Sequence, residues 1–249
     1  MAHKTLIGGT AYEITGGKTL IGGTGYSIKG GKTLVGGTGY DIPFVKRVSL
    51  GSLAAGSVVY IKESGSLVPF YVACHNYESS KNGTGRTLMV RKDVHSIRSW
   101  HSSNLNYQYK VTAINTWLNG TYKSSFDSAV QSAMGSTTIR VTNGIMEDYS
   151  CSIFLLSAYE ILGYTPASAN KEGSPLPTGD AIRIAYFNGS AHPYWTRSPK
   201  TDNSMDVYNI DERGYTQYYY ANRTSGVRPC FTLPETTLFN AETKEFLSA

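Results

Sequence analysis

The sequence predicts an α+β protein in which antiparallel sheet outweighs helix, on three observations. The chain has 26 glycines and 19 tyrosines among 249 residues, with many Ser, Thr and Asn, which suits strands joined by tight turns and disfavours a helical bundle. Short apolar runs bounded by turn residues recur through most of the chain, and only two longer stretches carry helical spacing. The first 45 residues repeat, and internal repetition at a fixed period marks a separate structural unit. With 249 residues of which 16% are charged, the chain is long enough for one domain with its own core plus an appendage, and not charged enough for a disordered tail.

The repeats come first. Lys4, Lys18 and Lys32 open three units of fourteen residues, each a Lys-Thr-Leu-Ile/Val limb, a Gly-Gly turn and a Thr-x-Tyr-x-Ile limb. Glycine reaches φ > 0 without penalty, so each unit suits a hairpin and the run suits a β-meander. Alternation puts Thr10, Tyr12 and Ile14 on one face and Ala11 and Glu13 on the other, while Leu6 and Ile7 point to opposite faces. One unit supplies four large apolar groups, too few for three units to bury against one another, so partner chains would complete the core. The segment resembles the short glycine-turn β-repeats of viral fibre shafts and attachment stalks, which implies a homotrimer. A flexible glycine-rich leader, or a meander packed on its own domain, is the alternative. Gly16-Gly17-Lys18-Thr19 and Gly30-Gly31-Lys32-Thr33 match the end of a phosphate-binding loop, but Tyr12 and Tyr26 stand where its first glycine belongs and a β-limb replaces the helix, so no nucleotide site is expected. Pro43 comes where the repeat stops, dividing the chain into 1–45 and 46–249.

In the main domain, apolar runs at 58–61 and 67–73 flank Glu63-Ser64-Gly65-Ser66 as a hairpin, and a third strand covers 87–91. Val111, Ile114, Trp117 and Leu118 lie on one side of a helix ended by Asn119-Gly120; Phe126, Val130 and Met134 mark a second, ended by Gly135. Residues 139–142 and 153–156 read as strands, and Ser157-Ala158-Tyr159-Glu160 is a capping box opening one helical turn through Leu162. A Pro/Gly/Ser-rich loop at 165–179 precedes strands at 181–187, 194–197, 205–210, 215–220 and 227–233, so two helices pack beside a largely antiparallel sheet.

Four motifs then carry a resemblance over residues 100–233. Trp117-Leu118-Asn119, the run from Ile153 to Glu160, Tyr194-Trp195-Thr196-Arg197-Ser198-Pro199 and Gly226-Val227-Arg228-Pro229-Cys230-Phe231-Thr232-Leu233 are similar to a domain of unknown function common in gut bacterial and phage proteins, itself similar to the C-type-lectin-like fold. That family commonly has an apolar residue at the position of Thr196 and Ala at that of Cys230. The same fold carries the variable proteins of diversity-generating retroelements, including phage receptor-binding proteins, whose altered residues lie between a Trp-containing strand and a closing Gly-x-Arg strand. The resemblance implies a phage or prophage attachment protein, carried on the virion, with a bacterial cell-surface protein or glycan as partner.

The corresponding stretch here, between Trp195 and Gly226, contains Asp202, Asn203, Ser204, Asp206, Tyr208, Asn209, Asp211, Tyr215, Tyr218, Tyr219, Tyr220, Asn222 and Ser225. Many are residues that adenine-directed mutation of an Asn or Tyr codon generates. Independently, Tyr offers rigid contact area with a polar tip, and Ser, Asn and Gly offer adaptable hydrogen bonds, the composition of paratopes; high β-propensity of Tyr and Thr is the competing explanation. Alternation places Tyr215, Gln217 and Tyr219 on one face and Thr216, Tyr218 and Tyr220 on the other, so one set is expected to be exposed. A second binding loop is read at Trp100, His101, Asn104, Asn106 and Tyr107, with Trp100 tucked inward as the alternative. Trp195, Arg197 and Arg228 are read as framework.

Other chemistry finds little support. The charge is +5, from 23 Lys and Arg against 18 Asp and Glu, but the densest basic stretch, Arg86 to Arg98, is broken by Asp93 and apolar residues, so no nucleic-acid track is expected. Cys74, Cys151 and Cys230 are odd in number and widely spaced, without a CxxC. Cys74 and His75 are neighbours that point to opposite faces of a strand. His3, His95, His101 and His192 show no HxH or HExxH spacing, and the calcium motif of sugar-binding lectins is absent from the sequence, so no metal, cofactor or catalytic residue is expected. The amino terminus lacks an apolar segment and no run approaches ~18 apolar residues, so synthesis in a cytoplasm without membrane insertion is expected. Two alternatives stay open: a bacterial surface adhesin of the same fold, and an enzyme of the formylglycine-generating type, which would need Cys151 and Cys230 close together.

Overall fold

The computed structural model describes residues 4–7, 10–13, 18–21, 24–27, 31–35, 38–42, 46–104 and 108–247. They form two compact units, Met1–Lys46 and Arg47–Ala249. In the first, each repeat is an antiparallel hairpin: β1 (Lys4–Ile7) with β2 (Thr10–Glu13), β3 (Lys18–Ile21) with β4 (Thr24–Ser27), and β5 (Gly31–Val35) with β6 (Thr38–Ile42). Ile7 pairs with Thr10, so the Gly-Gly link has the two-residue length that primed turns favour. Strands of successive units do not pair among the described residues. The expected continuous meander is thus replaced by three separate hairpins, because the tight link falls within each unit and longer links fall between them. The side chains of Leu6, Ile7, Tyr12 and Ile14, on which the burial argument rests, lie outside the described residues.

The second unit opens with β7 (Arg47–Ser49), then β8 (Val58–Glu63) and β9 (Ser66–Cys74) as the expected hairpin. Ser64 and Gly65 turn it at φ 51° and 80°, which a glycine accepts without strain. After α1 (Ser79–Asn82) come β10 (Arg86–Arg91) and β11 (Ser96–Ser99). The helix α2 (Ala113–Trp117) starts at Thr112, whose hydroxyl accepts from Asn115 N. It does not end at Asn119-Gly120 but winds on through a π turn at Leu118–Tyr122 and a 3-10 turn at Lys123–Ser125. The cause is tertiary. Asn119 Oδ1 accepts from Ser152 N and Ile153 N (both 3.0 Å), Asn119 Nδ2 donates to Ile153 O (2.9 Å), and the buried Tyr122 donates its hydroxyl to Glu63 (2.7 Å). Val111, expected on the packed side, is 58% exposed in a 3-10 turn before α2.

The second helix, α3 (Ser128–Met134), ends at Gly135 as expected. β12 (Thr137–Asn143) pairs with β13 (Ile145–Cys151), and β14 (Ile153–Phe154) follows. The capping box at α4 (Ala158–Leu162) is present in both halves. The strand expected at 181–187 is instead the helical turn α5 (Gly179–Ile182) followed by the short pair β15 (Tyr186–Phe187) and β16 (Ser190–Ala191). Gly179 approaches Ile161 so closely that a Cβ there would lie 2.5 Å from its carbonyl oxygen, and Arg228 takes the Ile182 carbonyl (2.5 Å), which holds this stretch off the sheet. The last strands are β17 (Tyr194–Pro199), β18 (Asp206–Ile210), β19 (Thr216–Tyr220), β20 (Thr224–Val227), β21 (Cys230–Pro234) and β22 (Leu238–Asn240). The single strand expected at 227–233 is therefore two, broken at Arg228-Pro229, since proline lacks the N–H that a continuous ladder needs.

Two five-stranded sheets result, ordered β14-β21-β10-β9-β8 and β11-β20-β17-β18-β19, and the chain passes from the second to the first between β20 and β21. Phe70, Phe126 and Phe231 cluster with centroids 5.3–6.2 Å apart in one continuous core. The tail packs on this same unit: β22 pairs with β7, and Phe239 is buried against Phe246 (5.9 Å). The architecture is α+β, mostly sheet with short helices.

Candidate functional site

A buried ion cluster stiffens the middle of the second sheet. Arg197 on β17 is fully buried, and all five of its N–H donors are used. Nη1 reaches Glu160 Oε2 (2.6 Å) and Leu155 O (2.9 Å), Nη2 reaches Glu160 Oε1 (3.0 Å) and Glu172 O (3.0 Å), and Nε reaches Arg140 O (2.9 Å). Tyr77 donates its hydroxyl to Glu160 (2.6 Å) and Ser157 N does the same (2.8 Å). Burial alone would lower the guanidinium pKa, but the charge of Glu160 and then of Tyr77 and Glu172 outweighs it and holds Arg197 well above its ordinary value. Glu172 accepts from Thr142 N (2.6 Å) and from the Ser198 hydroxyl; burial pushes its carboxyl up even so, against the pull of Arg197.

Two indoles tie β17 to β11 and the residue just past it, across the intervening β20. Trp195 Nε1 donates to Arg98 O (2.9 Å) and Trp100 Nε1 to Thr196 O (3.1 Å). Trp100 is fully buried, so it belongs to the frame and not to a binding loop. Arg228, with Nε on Arg91 O (2.8 Å) and its guanidinium 5.1 Å from the Tyr194 ring centre, is also framework. The two positions that depart from the resembled family are satisfied locally: Thr196 donates to Tyr208 O (2.7 Å) and Cys230 Sγ to Phe154 O (3.0 Å).

On this frame sits the β18–β19 hairpin. Its turn is built by Asp211, whose Oδ1 accepts from Arg213 N (2.9 Å) and Tyr215 N (2.8 Å), with Arg213 Nη2 3.0 Å from Oδ2. Burial would raise the carboxyl pKa; the bonds from Tyr215 and Arg213 outweigh it and hold Asp211 below the usual range. A folded pKa below the unfolded one gives stability that is complete above the unfolded value, about 3.9, and is lost as pH falls through the folded value. Asp211→Ala is therefore expected to cost about 1–3 kcal/mol at neutral pH, and the difference from the native chain should shrink below that window, as urea unfolding at pH 7 and pH 3 would read.

Not all residues expected to meet a ligand reach the surface. Asp206, Tyr208 and Asn209 are buried because β18 lies between β17 and β19 with both faces covered; Asp211 is buried in the turn that it builds, and Ser225 on β20, which lies between β11 and β17. Asn203 holds the start of β18 by donating to Asp206 Oδ2 (2.8 Å), and Tyr208 donates to Ala167 O. Asp202, Ser204 and Asn222 are exposed and Asn203 half-buried; the Ser168 hydroxyl (2.5 Å) and then Lys200 keep the Asp202 carboxyl low. Both tyrosine sets are exposed: Tyr215 59%, Tyr218 53%, Tyr219 39% and Tyr220 45%. The expectation of one exposed face fails because β19 is an edge strand, open on its outer side as well as above and below. Tyr219 stands edge-on to Trp195 (6.4 Å), while Tyr218 stands edge-on to Tyr208 (6.4 Å) with Lys200 Nζ 4.1 Å from its ring centre.

Tyr218, Tyr219 and Tyr220 line an open cleft of about 650 Å³ together with Ile97, His192, Pro193, Asp206, Arg223 and Thr224. Arg223 and Thr224 fall inside the stretch between Trp195 and Gly226, but a search for Tyr, Asn, Ser and Asp passes over them. Ile97 and His192 come from elements distant in sequence and carry no local signal. His101 of the expected second loop is half-buried, its Nδ1 accepting from Ala113 N (3.2 Å), and Asn104 lies exposed near Met205 (3.4 Å). Asn106 and Tyr107 lie outside the described residues.

The thiols are poorly placed for reaction. Burial pushes the Cys151 pKa up to about 12 and Cys230 well up, and it raises Cys74 as well, which disfavours the nucleophilic thiolate. His75 is engaged on both ring nitrogens, by Thr87 Oγ1 and Leu53 O (2.8 Å each). Among the described residues no three His, Cys, Asp or Glu side chains converge as a metal site requires, and no helix is long and apolar enough to cross a membrane.

Comparison with curated proteins returns no match, and neither does comparison with solved structures. One family does match, over residues 84–235, from β10 to the end of β21 and so across Arg197, Glu160 and Glu172 of the ion cluster, the β18–β19 hairpin and the whole lining of the cleft. With more than half of its length matched, the chain belongs to the family described as Domain of unknown function (DUF6273).

Proposed function

We propose that this protein is a recognition protein of the phage or prophage attachment type, in which a C-type-lectin-like head presents the β19 edge and its cleft to a bacterial surface ligand and performs no turnover. The observation that carries this reading is the row of four exposed tyrosines, Tyr215, Tyr218, Tyr219 and Tyr220, standing beside an open cleft on a rigid, internally bonded frame. Large rings with a polar tip bind with little loss of side-chain freedom, and a stiff support keeps them placed before the ligand arrives. The three amino-terminal hairpins serve in this reading as a stalk or docking element that gathers three heads on a virion, so that tethered sites raise the apparent affinity. Substitutions in the source population concentrated at adenines between the codons for Trp195 and Gly226 would support diversification of the same face.

The test is binding of the labelled full chain to intact bacterial cells, compared with a chain carrying Tyr218→Ala, Tyr219→Ala and Tyr220→Ala together. The triple replacement is expected to weaken cell binding by at least about tenfold while leaving the melting temperature within a few degrees. Unchanged binding would overturn the reading, and global unfolding would assign the tyrosines to packing.

A further inference from the structure

Three of the four edges of the two large sheets are occupied or flanked by the chain itself. The outer side of β8 is bridged by the tail, with Tyr60 N donating to Lys244 O (2.9 Å) and Phe246 N to Tyr60 O (2.9 Å). The short β14 edge is capped by the Asn119 amide. β11 is flanked by α2, with Ile114 N bonded to Trp100 O (3.2 Å) just past the strand's end. The fourth edge, β19, has no strand on its outer side among the described residues.

The register decides which backbone groups face outward there. Asp211 N donates to Tyr215 O (2.7 Å) and Ala221 N to Met205 O (2.9 Å), and along an antiparallel pair bonded and non-bonded residue pairs alternate. Gln217 and Tyr219 therefore bond to β18, whereas Thr216 and Tyr218 turn both N–H and C=O outward and Tyr220 its N–H, the Tyr220 carbonyl accepting from Arg223 N (2.9 Å); the outward positions lie about 6.8 Å apart. Natural edge strands are usually blunted by lysine, proline, a bulge or a cover. β19, Thr-Gln-Tyr-Tyr-Tyr, is uncharged and proline-free, and its register to β18 is unbroken.

Resting on the recognition reading above, we propose that β19 takes its ligand as an added strand: an extended polypeptide segment of the partner that pairs with the outward groups of Thr216, Tyr218 and Tyr220. Successive side chains of such a segment alternate between faces, so they meet Tyr218 and Tyr220 on one face and Tyr219 on the other. The exposed Arg223 at the cleft has no ion-pair partner among the described residues and selects an acidic side chain beside the added strand. Main-chain bonds supply affinity and the flanking rings supply selectivity.

The test uses the full chain at ~1 mM of a capped peptide, acetyl-Glu-Val-Thr-Val-Thr-amide, and the same peptide N-methylated at alternate residues to remove the N–H groups along one edge, because main-chain pairing tolerates sequence. The plain peptide is expected to shift the amide resonances of Thr216, Tyr218 and Tyr220 and to slow their hydrogen exchange about tenfold, leaving Gln217 and Tyr219 little changed; the N-methylated peptide does neither. Thr216→Pro deletes one outward N–H and leaves the bonds to β18, so cell binding falls about tenfold at unchanged melting temperature; should that variant not fold, the peptide pair decides alone. No response to either peptide, or an equal response to both, overturns strand addition. Cell binding that survives Thr216→Pro and is destroyed by periodate oxidation of the cells overturns it in favour of a glycan. A doubled light-scattering mass with the three amides protected before peptide is added shows the edge held by a second copy and overturns the partner assignment. In each of these cases recognition itself stands, since it falls only if the triple tyrosine replacement leaves cell binding unchanged.

Discussion

Arg197→Met is expected to lower the unfolding free energy by about 3–5 kcal/mol, more than any surface change. The guanidinium contributes five donors to four acceptor groups that water does not reach: both Glu160 oxygens and the carbonyls of Leu155, Glu172 and Arg140. A methionine fills part of the volume and satisfies none of them, leaving a buried carboxylate without its counter-charge. Lysine restores the charge but offers three donors from one point, so Arg197→Lys recovers only part of the loss. Arg197→Met combined with Glu160→Gln is expected to cost less than the sum of the two single changes, since the second removes the charge stranded by the first. The pH dependence supplies a second check. Arg197 pulls the already raised Glu172 pKa down, so removing it raises that pKa further. A folded pKa above the unfolded one favours the fold below the unfolded value, about 4.3, and this contribution is lost as pH rises through the folded value. The gap between native and Arg197→Met chains should accordingly narrow as pH falls through the two folded Glu172 values, which both lie above about 4.3, and change no further below them, which chemical denaturation at pH 7 and pH 3.5 measures.

The residues of this cluster show how far a sequence reading reaches. Ser157 and Glu160 are legible as a capping box because the interaction is local, three residues apart. That the same Glu160 also anchors Arg197 and Tyr77 is invisible, because those partners lie 37 and 83 residues away. The tyrosine strand is legible from composition and alternation, but burial of Asp206, Tyr208, Asn209 and Asp211 is not. Period-2 patterning tells which residues share a face and says nothing of whether a face is covered, and β18 has cover on both. Asn143-Gly144 is a readable turn signal, but β13 after it is not legible as a strand, because its largely exposed residues lack the apolar alternation that marks a half-buried strand. Asn119-Gly120 is the reverse case: a valid stop signal overridden because the Asn119 amide serves the edge of β14 better than it would serve a helix end.

Gly226→Ala is the second large effect expected, and it separates the frame from the face. A Cβ at this position would lie 2.6 Å from Pro193 O and 2.9 Å from both Val94 methyl carbons, closer than real Cβ atoms come. Pro193 O is main chain and accepts from Gly226 N (3.0 Å), so it has no rotamer through which to yield. Gly226 pairs with Tyr194 of β17 on one side and Ile97 of β11 on the other, and either strand must move to admit a methyl group. The cost is expected to be about 1–3 kcal/mol, read as a fall in melting temperature. Gly120, with nothing within 4 Å of its notional Cβ, is the control: Gly120→Ala should be neutral or gain up to about 1 kcal/mol by adding helix propensity. Because Ile97, Pro193 and Thr224 line the cleft beside the tyrosines, Gly226→Ala should also weaken cell binding although residue 226 presents no side chain to a ligand. A variant as unstable as Gly226→Ala but distant from the cleft, Gly179→Ala against Ile161 O, should bind as the native chain does at temperatures where both remain folded. Matching losses in the two variants would mean that stability alone controls binding, whereas a loss confined to Gly226→Ala ties the close packing of β20 at Gly226 to the geometry of the face.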